Sequence, residues 1–212
     1  MNLRHIFILP ALLTAMACSD DSPVTPDTPD TPEGPDITNS VEKLVSIDAG
    51  QTFQTIAGFG ASDCWSPAFV GKSWTSHRAG ITELLFSSEI VGGKPKGIGL
   101  SQWRVNLGGG SAAQGEACGI EDKSRRAESY LTDDLTYDWT RCEGQRYFMD
   151  RAKELGCNNF VLFSNTPPVQ YTYNGKGFSA RGGLSNLKPE HYGDFAGYMA
   201  DVAARYTGEG YH

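Results

Sequence analysis

GIGLSQWRVNLGGG, residues 97–110, sets Ile98, Leu100, Gln102 and Arg104 at alternate positions and then meets three glycines. A period of two is that of a β-strand, whose side chains leave opposite faces in turn. The residues toward its end are polar, Arg104 and then Asn106, so this strand delivers hydrogen-bonding groups to its C-terminal edge. Downstream, Thr140 and Glu143 have the spacing of a capping box, and Phe148, Ala152 and Leu155 share one face of a helix that Gly156 is placed to stop. NFVLFS, residues 159–164, then reads as a short apolar strand of the kind buried on both faces, ended by Asn165-Thr166-Pro167-Pro168. Pro189 opens a last helix in which Tyr192, Phe195, Ala196, Met199, Val202, Ala203 and Tyr206 recur at three and four, with Gly208 at its close.

Upstream, the spacing predicts a helix from about Ser76 to Phe86, preceded by Gly58-Phe59-Gly60-Ala61-Ser62-Asp63. Leu44–Ile47 and Thr52–Ile56 read as two short strands about Ala49-Gly50-Gln51. Strand and helix alternating three times is the grammar of a parallel sheet. Polar and glycine-rich strand ends fit the active face of a (β/α)8 TIM barrel, but residues 41–212 fall short of the roughly 250 that a barrel takes. The fold class expected is therefore α/β: the N-terminal part of a TIM barrel, about three βα units, in a domain continuing past residue 212.

Composition narrows the partners. The chain has 212 residues, 39% of them hydrophobic, enough for a core, and a net charge of −7. That sign argues against nucleic acid, because phosphate binding depends on Lys and Arg. The glycine clusters satisfy neither the dinucleotide fingerprint nor the P-loop, and no GxSxG elbow occurs. Cys64, Cys118, Cys142 and Cys157 form no CxxC pair, and the histidines are scattered, so neither metal nor cofactor is expected. Two readings of the thiols stay open, a Cys118–Cys142 disulfide across the long loop or buried free thiols.

The first 18 residues read as a secretory signal peptide, with an apolar run from Ile6 to Ala17 too short to span a bilayer. Ala15 and Ala17 before Cys18 resemble the cleavage box of bacterial lipoproteins. That resemblance implies acylation at Cys18, and Ser19-Asp20-Asp21 resembles the surface-export signal of some Gram-negative species. The expected location is the outer membrane or cell surface, held by a lipid anchor alone. Residues 19–40, rich in Pro, Asp and Thr, read as a disordered tether.

Four segments then carry a family likeness. Gly58–Asp63, Gln102–Gly110, Ser164–Pro168 and Gln170-Tyr171-Thr172-Tyr173-Asn174-Gly175 together resemble glycoside hydrolase family 30, most closely its endo-β-1,6-galactanase-like branch, over about Val45 to Tyr206. The resemblance implies a (β/α)8 barrel with a side β-sandwich that takes in the strand pair at Leu44–Ile56. It also implies retaining hydrolysis by two glutamates about 5 Å apart. The family's acid/base lies in an Asn-Glu-Pro motif after the fourth strand, and this sequence contains none. By this likeness the catalytic pair lies beyond these residues and the chain by itself is inactive. Arg104 matches the arginine that holds the nucleophile carboxylate, and Asp63 stands where a carboxylate meets sugar hydroxyls. Asn106 and Asn165 are hydroxyl-binding candidates at strand ends. Trp65 and Tyr171 are candidate stacking platforms, since many relatives have Trp where Asn165 stands. The charged loop from Ser111 to Asp138 reads either as a solvated loop or as a wall of the glycan cleft.

The function expected is hydrolysis of a β-linked polysaccharide or oligosaccharide, β-1,6-galactan favoured. The competing reading is a non-catalytic glycan-binding lipoprotein with a degenerate hydrolase barrel. A third is a truncated remnant whose open barrel aggregates or stays molten.

Overall fold

The structure, a computed structural model, describes residues 45–63 and 65–212. The expected signal peptide, Cys18 and the tether at 19–40 lie outside the described residues. Chain contacts divide into a unit ending at Thr55 and a second spanning Ile56–His212.

Among the described residues, which leave out Leu44, the predicted strand pair is not formed. Asp48 and Gly50 build a turn, with Gln51 N donating to Asp48 O and Gly50 N to Asp48 Oδ1, but no ladder joins the flanking segments. A lone pair of short strands is marginal without further strands or a helix to cover it. Val45, Ile47 and Phe53 are accordingly exposed.

The second unit has a three-stranded parallel sheet. β1 (Gly60–Ser62) is followed by α1 (Ser66–Ser73) and α2 (Arg78–Phe86), then by a two-residue hairpin, β2 (Ile90–Val91) and β3 (Lys94–Pro95). β4 (Gln102–Asn106) precedes α3 (Glu143–Glu154), and β5 (Asn159–Phe163) precedes α4 (Tyr192–Gly208). The strand order is β1-β4-β5, with Ser62 beside Arg104 and Arg104 beside Val161. The alternation read from the sequence thus produces parallel strands joined through helices, as the parallel-sheet expectation required.

Alternation also divides the sheet's faces. Trp103 and Val105 point into the core with Phe86, Phe148, Met149, Tyr198, Val202 and Tyr206, under α2, α3 and α4. Gln102 and Arg104 belong to the opposite face, where Arg104 and Val161 are exposed. Parallel sheets normally bury both faces; here only one is covered by the described residues.

The helix ends follow their own chemistry. Gly156 adopts φ 97°, and beyond it Cys157 N donates to Ala152 O and Gly156 N to Lys153 O, a Schellman motif closing α3 as predicted. α4 ends in the same motif, with Tyr211 N on Tyr206 O and Gly210 N on Thr207 O. The left-handed glycine there is Gly210, at φ 82°, and not Gly208, which remains helical. Glu209, just past the helix, is 23% exposed and pairs with Arg146 (2.8 Å) and Arg205 (2.5 Å). The capping box at α3 does not form either. Thr140 Oγ1 donates to Asp138 (2.6 Å), while Cys142, left-handed at φ 60°, takes the cap position. On α4 the buried stripe is Tyr198, Val202 and Tyr206, flanked by Phe195 and Met199, and Tyr192 and Ala196 fall outside it.

Candidate functional site

Asp63 follows β1 directly and is 1% exposed. Its main-chain N–H donates to Arg104 O (3.0 Å), extending the β1–β4 ladder by a residue. Its carboxylate oxygens accept from the Asn106 N–H at 3.2 and 3.1 Å and from Gln145 Nε2 at 2.5 Å. Gln145 also donates to Asn106 O at 2.8 Å, so one amide on α3 ties together the ends of two strands. A buried carboxylate is tolerable only when its lone pairs are met in this way. Asn106 is itself buried, and its Oδ1 has no hydrogen-bond partner among the described residues.

Sequence reasoning missed Gln145. The available signal was a polar residue within a buried helical stripe, since Gln145, Phe148, Met149 and Ala152 follow the i, i+3, i+4, i+7 pattern. Trp65 stands beside this group at φ 70° and caps α1; with Asn106, Glu128, Cys142 and Gln145 it lines a small void. Arg125 lies 5.4 Å from its ring centroid. Cys142 is buried there as a free thiol pushed well above its usual range by desolvation. Cys118 and Cys157 are buried free thiols as well, so of the two readings left open for the cysteines the structure takes the thiol one at these three positions.

Arg104 stands on the uncovered face. Its Nε donates to Ser62 Oγ (3.1 Å) and its guanidinium lies 4.1 Å over the Phe163 ring, so β1 and β5 both orient it. Its terminal nitrogens have no hydrogen-bond acceptor among the described residues. Asn165 is exposed past the end of β5. Tyr171 departs from the expected stacking platform. It is a core residue, 7% exposed, with its ring stacked on His191 at 4.9 Å and its hydroxyl pushed up by burial. The exposed aromatic of that segment is Tyr173, under Arg181 at 4.1 Å. Asp63 and Trp65 are therefore brought together about the Asn106 main chain, Arg104 stands on the opposite, uncovered face from Asp63, Asn165 is open, and Tyr171 is withdrawn.

Glycines let the loops close over these strand ends. A Cβ on Gly108 would come within 2.2 Å of Glu128 O, and one on Gly109 within 2.7 Å of Pro167 O. The loop from Ser111 to Asp138 is ordered by its own charges. Arg126 grips Glu116 with two hydrogen bonds (3.2 and 3.1 Å) and holds its carboxyl below the usual range, while Asp122 caps a turn at Ser124. Glu128 receives Lys72 (2.6 Å) and the Cys142 N–H (3.0 Å). Among the described residues no group of three or more metal-ligating side chains gathers, and no helix is long and apolar enough to cross a membrane.

Comparison with known proteins gives consistent relatives. The family model for O-Glycosyl hydrolase family 30 matches residues 42–212. An endo-beta-1,6-galactanase of Hypocrea rufa is 27% identical over 174 residues, covering 75% of this chain and 35% of its own length. The crystal structure of a conserved exported protein from Bacteroides fragilis aligns at 36% identity with a TM-score of 0.71, covering 78% of this chain and 34% of that one. SrfJ from Salmonella typhimurium, at 18% identity and a TM-score of 0.51, covers 74% of this chain and 32% of its own, and shares the fold alone. The chain spans about a third of the length of these relatives.

Proposed function

The chain belongs to O-glycosyl hydrolase family 30, and from that premise we propose that its protein is a retaining hydrolase of a β-linked glycan, with β-1,6-galactan as the favoured substrate. The observation that carries the reading is the combination of the family match with strand ends that present oriented polar groups. The galactanase relative at 27% identity supports the choice of linkage. On this reading β1, β4 and β5 are consecutive strands of a (β/α)8 barrel, and the uncovered face bearing Arg104 is its interior.

In retaining hydrolysis one carboxyl protonates the leaving oxygen while a second attacks the anomeric carbon, and water then releases the sugar. The sequence has no Asn-Glu-Pro, so the reading assigns both glutamates to sequence outside these 212 residues and treats the chain alone as inactive. Arg104 then serves as the fixed cation beside the nucleophile, favouring its ionised form. Ser62 and Phe163 hold the guanidinium in that direction. Asp63 acts by locking Asn106, while Asn165 and Trp65 remain candidates for sugar contact. The reading also includes acylation at Cys18 and display on the surface of a Gram-negative cell. The exported relative agrees with export, and labelling with a radioactive fatty acid, lost in Cys18→Ala, tests it.

The deciding experiment incubates the intact protein, including the sequence to which this reading assigns the glutamates, with β-1,6-galactan, β-1,4-galactan and xylan and follows reducing ends, with proton NMR of the first product. Release from β-1,6-galactan with a β-configured product is expected. Binding without release from any of the three would leave a non-catalytic glycan-binding protein instead. An α-configured product would remove the retaining mechanism.

A further inference from the structure

α3 has two working faces. Its buried stripe meets the sheet, while Glu143, Arg146, Tyr147 and Asp150, on the side turned from the sheet, line an open groove with Arg78, Trp139 and Thr140. The planar groups in the groove are already fixed. Arg78 lies 4.0 Å over the Tyr147 ring and its Nη1 donates to Gly71 O (2.6 Å). Trp139 packs 5.0 Å from both Tyr130 and Tyr137, with Arg205 5.3 Å from its centroid. Arg146 is held by Glu209 at 2.8 Å. Side chains fixed before binding lose little rotamer freedom when a ligand arrives.

Their polar ends are not all spent. The Trp139 indole N–H, the Tyr147 hydroxyl and the Glu143 carboxylate make no hydrogen bond with any described residue. Two arginines stand against two carboxylates, so the groove has no net charge with which to draw a polyanion. Rigid rings bordered by separate donors and acceptors suit a ligand with apolar faces edged by hydroxyls. We propose that this groove binds a neutral oligosaccharide. The ligand class rests on the glycan reading above, whereas the geometry of the groove stands without it.

The test follows the Trp139 indole N–H by 15N-correlated NMR in the protein, assigned with Trp139→Phe, while β-1,6-galacto-oligosaccharides and xylo-oligosaccharides are added in turn. A saturable shift with at least one of them is expected. Glu143→Lys, on an exposed side chain, should then weaken binding about tenfold, the cost of a hydrogen bond to a charged group. No shift with either sugar, or a shift indifferent to Glu143→Lys, overturns the proposal. Reducing-end release without a Trp139 response removes the groove site and leaves the hydrolase reading intact; a Glu143-sensitive response without release does the reverse.

Discussion

At the scale of single residues, the polar strand ends turn on Gln145. Without it, Asp63 keeps the Asn106 N–H and loses the amide that closes its buried carboxylate. Gln145→Leu should therefore cost about 2 kcal/mol, as expected for a hydrogen bond to a charged group, read as a lower denaturant midpoint. Gln145→Glu should cost more, because it places like charge against a buried carboxylate. Equal stability of wild type and both variants would mean that the Asp63 contacts are incidental. The strand-end positions of Asp63, Asn106 and Arg104 were legible in the sequence because position along a strand determines which residues reach its end. The sugar contact expected of Asp63 was not met, since its carboxylate is buried on the Asn106 N–H and Gln145. Gln145 was not, since it meets Asp63 from 82 residues away. Tyr171 was misread for a related reason: an aromatic after a strand serves core and cleft equally well on paper, and only its stack on His191 decides.

At the scale of elements, the α1–α3 crossing depends on two glycines. A Cβ on Gly71 would sit 2.1 Å from Gly144 O, and one on Gly144 would sit 2.0 Å from Ala68 O. Both obstructions are backbone, so no rotamer change relieves them. Gly144→Ala should force the helices apart at a cost of about 3 kcal/mol, near the upper range for overpacking. Gly80→Ala, where a Cβ meets nothing within 4 Å, is the control and should be neutral or slightly stabilising through helix propensity. Comparable thermal shifts in the two variants would contradict the close crossing. α2, α3, α4, β4 and β5 could be read from period and punctuation, because these are local properties, whereas the short α1 and β1 carry too few residues to show a period. Caps were less legible. Thr140 has the right spacing for a capping box, but Asp138 takes its hydroxyl and Glu128 takes the Cys142 N–H. The strand pair at 44–56 failed because strands need partners, which local alternation does not supply.

At the scale of the whole second unit, the covered and uncovered faces of the sheet predict different behaviour. Beneath the helices, Tyr130 and Tyr206 join hydroxyls at 2.7 Å, and burial pushes both well above the usual phenol range, with Tyr198 pushed up to about 12. A raised folded-state pKa means the folded chain retains protons that the unfolded chain has lost. Stability is thus fully present below about pH 10 and falls as pH climbs from there toward the folded values. Phenolate absorbance at 295 nm for these tyrosines should appear together with loss of helical circular dichroism; smooth titration at ordinary pH in a folded protein would refute their burial. The other face offers exposed Val161 and Arg104, and β1 and β5 are the edge strands of the sheet, the Phe160 N–H of β5 being already bonded to His212 O. An uncovered face with an exposed valine, beside open strand edges, invites pairing with another chain. The 212-residue chain by itself should therefore self-associate with rising concentration in sedimentation velocity and bind a hydrophobic dye. Val161→Lys, adding charge to the uncovered face, should raise its monomer fraction without disturbing the helical side. If residues outside these 212 instead cover that face in the intact protein, the same substitution there should destabilise it, because it buries an unpaired ammonium. Opposite signs in the two contexts would identify this face as a covered interior, whereas a solubility gain in both would show that it is surface.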